Sequence, residues 1–378
     1  MNATPHPIRV AVVDDSALMR RIIMGALSSA DDIVVVAAAG DAQEARTLIR
    51  AESPDVVTLD VTMPGLSGLD LLAKIMQLRP MPVIMVSSST AEGAETSVTA
   101  LQLGAFEVLQ KPQSPEALDA FASALQAKIR LAAGSNIGRD MRPGPGVPAE
   151  VKPVARAEAF VPRRSLVAMG ASTGGVSALG RILSELPQSM PPIVIVQHMP
   201  KGYPERFARR LAASMGSDVA VAADGEPLRS GMVRMAPGDR HLQVVLRRTG
   251  FVTVLSGMPP VTGHRPSVDV LFESVARSCG SAAVGVILTG MGRDGAAGLG
   301  AMRRAGAVCL AQGPRSSVVW GMPRAAVEAG AVTETTELDG LAERICHHVA
   351  TPGRGPEPGA GPDRSGAARF AERLPPRA

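Results

Sequence analysis

The sequence predicts two consecutive α/β domains, each a parallel sheet with helices on both faces, the second carrying an antiparallel hairpin insertion. Three observations lead there. The chain has 378 residues, and at roughly 150 residues per domain that is two cores rather than one. Short aliphatic runs alternate with amphipathic segments of helical period through most of it, the rhythm of βα units. Two stretches, GSNIGRDMRPGPGVPAEVKPVARAEAFVPRR and TPGRGPEPGAGPDRSGAARFAERLPPRA, are rich in Gly, Pro, Ala and charge and lack apolar periodicity. They mark a flexible linker over 132–164 and a disordered tail over 351–378.

Over residues 8–128, strands are expected at IRVAVV, IVVVAAA, VVTLD, PVIMVS and FEVL, each followed by a helical pattern such as SALMRRIIMGAL or SGLDLLAKIMQL. Five βα units result, and continuous aliphatic strands of this kind suit a parallel sheet covered on both faces. Over residues 165–350 strands are expected at SLVAMG, PIVIVQ, AAVGVILTG and AVCLAQ, with helices near 175–186, 203–215, 267–279 and 294–305. Between 219 and 256 the runs shorten to MVRMAP, HLQVVLRR and FVTVLS, separated by Gly-Asp and Thr-Gly turns. That pattern predicts antiparallel hairpins inserted in the parallel sheet.

Composition excludes several functions. The net charge is +4, but residues 1–131 carry −5 and residues 165–350 carry +4, the rest of the basic excess falling in the linker and tail. With one Trp, one Tyr and no basic helix interleaved with aromatics, no nucleic-acid partner is expected. No apolar run approaches the ~18 residues of a membrane span, and MNATPHPIRV lacks the regions of a secretory signal. A cytoplasmic protein without membrane insertion is therefore expected. Cys279, Cys309 and Cys346 are far apart and odd in number, which excludes a disulfide framework or a cysteine zinc site.

In the first domain the strand ends carry the chemistry. Strand one ends in Asp14 and Asp15, strand three in Asp60 and strand four in Ser87, while Lys111 precedes Pro112 in the fifth unit. A right-handed parallel sheet brings these ends to one edge. Three carboxylates beside one lysine are costly unless a cation joins them, and Mg²⁺ takes a few carboxylate and carbonyl oxygens together with phosphate oxygens. Asp60 would be the nucleophile of a phosphoryl transfer, with Mg²⁺ and Lys111 neutralising the phosphoryl oxygens and the Ser87 hydroxyl following the altered geometry. Singly, each aspartate could cap a helix and Lys111 could be a solvated charge; together, five matched strand ends favour the phosphoryl-transfer reading.

VVDDSALMR, PDVVTLDVTMPGLSGLDLL, PVIMVSS and GAFEVLQKP resemble the receiver domain of bacterial response regulators over nearly all of residues 8–128. The resemblance implies a flavodoxin-like fold in which Asp60 is the phosphoacceptor. It further implies that Asp15 and the Thr62 carbonyl help hold Mg²⁺ with Asp14 acting through water, that Ser87 and Lys111 form the switch, and that a histidine kinase is the phosphodonor. Val108 stands where receivers often place an aromatic.

In the second domain, SLVAM runs into Gly170-Ala171-Ser172-Thr173-Gly174-Gly175 and then a helical pattern. This contains G-x-S-x-G at a strand-to-helix turn, which exposes a serine beside helix N–H groups. It could equally be a phosphate-cradling glycine loop. A dinucleotide site wants an acidic residue at the end of the next strand, and PIVIVQ ends in Gln197-His198 instead. His198 and, after VGVILTGMGR, Asp294 also lie just past strand ends, so nucleophile, base and orienting acid can meet at one edge. Each has a plainer explanation as a turn residue, a satisfied histidine or a helix cap. The order Ser, His, Asp matches none of the well-known triad orders. His241 and the run His264-Arg265-Pro266-Ser267 could rim the pocket, though a hairpin turn and a helix start explain them nearly as well.

GASTGG, VIVQHMP, MAPGDRHL, TGHRPSVDVLFESVA and LTGMGRDGAAG resemble the catalytic domain of the chemotaxis protein-glutamate methylesterase/glutaminases, the CheB family. With the receiver and linker in this order, the resemblance spans about residues 8–350. It implies Ser172 as nucleophile, His198 as base, Asp294 as orienting acid, backbone N–H groups near Thr173 and Met291 as oxyanion donors, no cofactor in the esterase domain, and methylated chemoreceptors as substrate. Two other readings stand beside it: a non-catalytic output module that binds a partner when Asp60 is phosphorylated, and a nucleotide-binding oxidoreductase.

Overall fold

The computed structural model describes residues 6–63, 65–87, 91–138, 162 and 165–351. Most of the expected linker, and the expected tail beyond Thr351, lie outside the described residues.

The first domain is a five-stranded sheet of order β2-β1-β3-β4-β5, formed by β1 (Ile8–Val13), β2 (Ile33–Ala39), β3 (Val56–Asp60), β4 (Val83–Ser87) and β5 (Glu107–Gln110), all paired in parallel. Alternation along β1 divides the core. Val10 and Val12 pack with α1 (Ala17–Ser28) and α5 (Leu118–Ala133), while Ala11 and Val13 face α2 (Ala42–Glu52) and α3 (Gly68–Leu78). Caps fix where the helices begin: Ser16 accepts from the Met19 N–H, Asp41 from the Gln43 and Glu44 N–H groups, and Ser67 and Asp70 form a capping box. The helix α4 (Ala91–Gln102) completes the second face.

The second domain is built on a seven-stranded, wholly parallel sheet of order β14-β13-β12-β6-β7-β9-β8. Its strands are β6 (Leu166–Ala171), β7 (Ile193–Gln197), β8 (Asp218–Val221), β9 (Met232–Met235), β12 (Ala283–Ile287), β13 (Val308–Gln312) and β14 (Glu334–Thr336). One face buries α6 (Gly175–Glu185), α7 (Tyr203–Met215) and α11 (Leu338–Ala350); the other buries α8 (Val268–Cys279), α9 (Ala296–Arg304) and α10 (Met322–Glu328). The remaining strands, β10 (His241–Arg247) and β11 (Gly250–Ser256), form a separate antiparallel hairpin. It is pinned to α8 by the Val244 N–H donating to Ser274 Oγ (2.9 Å).

One short run departs from the hairpin expectation. MVRM is the interior parallel strand β9, between β7 and β8, and all four of its residues are buried. β10 alternates toward exposure at its far end, as a half-solvated hairpin should. The short edge strands β8 and β14 are additional to the four expected strands.

The domains pack directly. Val98 of α4 is buried in the cluster built on α6 and α7, and Val318 of the second domain belongs to the buried cluster that contains residues of the first domain's α1 and α5. The Asn136 side chain donates to the Pro314 and Ser317 carbonyls (2.7 and 3.0 Å). The helix α5 runs to Ala133, two residues into the stretch read as linker.

Candidate functional site

Strand order reverses about β6, with β7 on one side and β12 on the other, and the crevice at such a switch point is where open α/β sheets bind ligands. β6 delivers Ser172 into a tight turn closed by Gly174 at φ +78°, a conformation that costs glycine nothing. The Ser172 N–H donates to the Thr289 carbonyl (3.0 Å), and its own carbonyl accepts from the Gly175 N–H (2.8 Å) and the Gln197 amide (2.9 Å). The loop after β12 passes so close that a Cβ on Gly290 would lie 2.7 Å from that of Ser172. Only glycine lets that backbone approach the serine. Thr173 follows the serine and Met291 follows Gly290, and the backbone N–H of neither makes a hydrogen bond within the described residues.

β7 delivers His198, and the turn before α9 delivers Asp294, which is 1% exposed. His198 Nε2 lies 2.8 Å from Asp294 Oδ2. The same carboxylate accepts from Ser267 Oγ (2.7 Å), from the Val268 N–H (2.8 Å) and from the Asp269 N–H (3.1 Å), all at the start of α8. Burial pushes the Asp294 carboxyl up, but the His198 contact and these donors outweigh it and hold it well below the usual carboxylate range. With Nε2 committed to Asp294, the other ring nitrogen, Nδ1, is buried without a hydrogen-bond partner among the described residues. Ser172 and His198 line one cavity of about 540 Å³. No Ser172–His198 hydrogen bond is formed, a bond that in hydrolases often tightens only with substrate.

The opposite wall of that cavity comes from the first domain: Glu107, Val108, Leu109 and Gln110 of β5, and Lys128 of α5. Thr173 Oγ1 donates to Glu107 Oε2 (3.4 Å), which also pairs with Lys128 Nζ (3.2 Å).

At the carboxyl edge of the first sheet, Asp14, Asp15 and Asp60 each offer an oxygen within 4.8 Å of the others. Lys111 Nζ lies 2.9 Å from both Asp14 Oδ2 and Asp60 Oδ2. Burial and the neighbouring Asp14 push the Asp60 carboxyl up, against the pull of Lys111. Burial opposes the Lys111 charge, but the two carboxylates outweigh it and push the ammonium up. One lysine against three carboxylates leaves excess negative charge on oxygen donors alone, the chemistry of a hard divalent cation. Ser87 is buried on β4, and its carbonyl accepts from the Lys111 N–H (2.8 Å). Thr62 donates its N–H to Asp60 Oδ1 (3.3 Å).

Sequence reasoning missed Gln197 as a clamp on the Ser172 and His198 carbonyls, and Ser267 as a donor to Asp294. The signal was present in part: His264-Arg265-Pro266-Ser267 is a polar run before a helix. Asp269, whose carboxylate accepts from the Gly298 N–H (2.8 Å) at the start of α9, has no sequence signal beyond an acid in the first turn of a helix.

Residues 167–345 match the family described as CheB methylesterase, and residues 10–123 match the response regulator receiver domain. A protein-glutamate methylesterase/protein-glutamine glutaminase of Caulobacter vibrioides is 50% identical over 89% of this chain and 97% of its own length. The Escherichia coli enzyme of the same description is 45% identical over 91% of this chain and 97% of its own. The crystal structure of the Thermotoga maritima CheB methylesterase catalytic domain is 34% identical, covering 49% of this chain and 98% of that one, with a TM-score of 0.48. With both domains matched in order, and relatives this similar along almost their whole length, the chain belongs to the CheB family of protein-glutamate methylesterase/protein-glutamine glutaminases.

Proposed function

We propose that this chain is a phosphorylation-activated serine hydrolase of chemotactic adaptation, which removes methyl groups from glutamate methyl esters and deamidates specific glutamines on chemoreceptors. The observation that carries the proposal is a single cavity walled on one side by Ser172 and His198, with Asp294 2.8 Å behind the histidine, and on the other by the receiver's β5. A pure binding module has no need of that set, and Gln197-His198 stands where a nucleotide-binding oxidoreductase would carry its ribose-binding acid.

In this reading Ser172 Oγ attacks the side-chain carbonyl while His198 Nδ1 takes the hydroxyl proton. Asp294, ionised and fixed on the start of α8, holds the Nε2–H tautomer and stabilises the imidazolium. The Thr173 and Met291 N–H groups receive the developing oxyanion. Collapse breaks the C–O or C–N bond, His198 returns its proton to the leaving group, and methanol or ammonia departs. Water, deprotonated by the same histidine, then attacks the acyl-enzyme and releases glutamate and the free serine. One intermediate serves both substrates.

In the receiver, Asp60 accepts the phosphoryl group from a histidine kinase. Asp14, Asp15, Asp60 and the Thr62 carbonyl would hold Mg²⁺, whose charge together with Lys111 neutralises the phosphoryl oxygens. Ser87 and Lys111 carry the change to β5. The contact of Glu107 with Thr173 supports a closed resting state, and the opposite net charges of the two domains, −5 and +4, favour it across the linker that joins them. Added phosphate would not weaken that attraction, so release comes from a shape change at the fifth βα unit. The enzyme acts in the cytoplasm on receptor helices without inserting into the membrane; no helix among the described residues is long and apolar enough to cross one.

The test mixes purified full-length protein with methyl-labelled receptor membranes and follows volatile methanol. Release should require Ser172 and rise with acetyl phosphate and Mg²⁺. Release that persists in the Ser172→Ala chain would overturn the reading.

A further inference from the structure

His264 stacks on His198. The ring centroids are 3.9 Å apart and the planes differ by 7°, and both rings line the cavity that holds Ser172. The base has need of such a neighbour. Its one ring hydrogen bond among the described residues, to Asp294, fixes one atom of the ring but not its plane, because the torsion that turns an imidazole plane is broad and has no sharp minimum of its own. A parallel ring in van der Waals contact removes the out-of-plane motion that one hydrogen bond allows.

His264 is itself held firmly. The Val261 N–H donates to the His264 carbonyl (3.0 Å) and the His264 N–H to the Val261 carbonyl (2.9 Å), closing a turn whose central residues, Thr262 and Gly263, both have positive φ (52° and 80°). That is the tight hairpin geometry. Next in the chain, the Arg265 guanidinium donates to the Gly257 and Met258 carbonyls (3.3 Å each). Two residues further on, Ser267 bonds Asp294. A single short segment thus touches both the base and the acid behind it. Burial, and the closeness of His198, push the His264 imidazole below its ordinary range, so a neutral ring faces the cation that His198 becomes during acylation.

We propose that His264 is a positioning residue for the esterase: its stacked ring fixes the His198 plane so that Nε2 meets Asp294 while Nδ1 meets Ser172, and covers a face that water would otherwise solvate. The proposal rests on Ser172, His198 and Asp294 being the triad, and its test separates the two ideas.

Full-length chains carrying His264→Ala, His264→Phe or Ser172→Ala are activated with acetyl phosphate and Mg²⁺. Each is assayed for methanol release and for the rate at which a small fluorophosphonate probe labels the active serine. The alanine variant should lose about tenfold in kcat with KM changed less than about twofold, and label correspondingly slowly. The phenylalanine variant, with a flat ring of similar breadth, should recover most of both rates. Wild-type kcat and labelling in His264→Ala would overturn the proposal, as would a change confined to KM. So would a His264→Phe chain of unchanged thermal midpoint that is no better than His264→Ala. Labelling of Ser172→Ala at the wild-type rate would instead overturn the nucleophile assignment.

Discussion

The two domains bury carboxylates at the carboxyl edges of similar parallel sheets and stabilise them by opposite means. In the receiver, Asp14 and Asp60 share one lysine, and Asp60 is pushed up rather than down. In the esterase, no lysine or arginine among the described residues touches Asp294; its partners are His198, the Ser267 hydroxyl and two backbone N–H groups at the start of α8. A carboxylate held by a side-chain ammonium has a partner that is not built into the backbone and can be redirected. One held by a histidine, a hydroxyl and backbone donors is fixed by the fold and held ionised. The difference fits the roles proposed for the two clusters, a switch in the receiver and fixed machinery in the esterase.

The sharpest way to break that comparison is to remove the fixed carboxylate's charge. Asp294→Asn should lower methanol release by about 10⁴-fold in a folded chain, because the amide presents the wrong partner to His198; triad losses elsewhere are of that order. Ser172→Ala and His198→Ala should fall at least as far. Near-normal turnover in any of these folded variants would remove the triad assignment.

At the switch, Asp60→Asn should abolish Mg²⁺-dependent labelling by phosphodonor, and with it the stimulation of turnover. Phosphate retained on another residue would break the assignment, and a chelator should abolish wild-type labelling in the same assay.

A smaller effect is expected from separating the domains. A chain beginning at Arg163 should turn over severalfold faster than the intact unphosphorylated protein at equal concentration and ignore phosphodonor, since the β5 wall of the cavity is gone. An equal or lower rate would argue for direct activation by the receiver in place of simple obstruction.

The smallest effect sharpens the contrast within the esterase itself. Asp269 neighbours Asp294, and burial together with that neighbour raises its carboxyl to about 6. A raised acid makes the folded state bind the proton more tightly than the unfolded chain, so its contribution to stability falls as pH rises between the ordinary 3.8 and about 6. Asp269→Asn keeps an acceptor for the Gly298 N–H and removes this loss. The variant should gain on the order of 2 kcal/mol relative to wild type on going from pH 4 to pH 7, read from urea midpoints. Parallel midpoints at both pH values would show that Asp269 ionises without penalty.

The five strands of the receiver and the four principal strands of the esterase were legible because continuous aliphatic runs need burial on both faces, whatever else the chain does. MVRM was misassigned because a four-residue interior strand and one arm of a hairpin look alike until pairing partners are known. That Ser172, His198 and Asp294 can meet at one sheet edge was read from their strand-end positions; the structure brings His198 to Asp294 and sets Ser172 and His198 in one cavity. His264 and Ser267 were visible only as a polar run, since nothing local says that a turn will lay one ring on another or aim a hydroxyl at a carboxylate 27 residues away.

The amino-acid order by itself determined the two sheets, the helix caps and the residues at the strand ends, because periodicity and capping act over one or two turns of chain. Tertiary structure alone decided that His198 gives Nε2 to Asp294, that β5 of the receiver walls the esterase cavity, and that Asp269 and Asp294 ionise so differently. Each of these depends on which groups from distant segments share a buried space, and on how many donors reach a charge there. Those quantities exist only once the chain has packed.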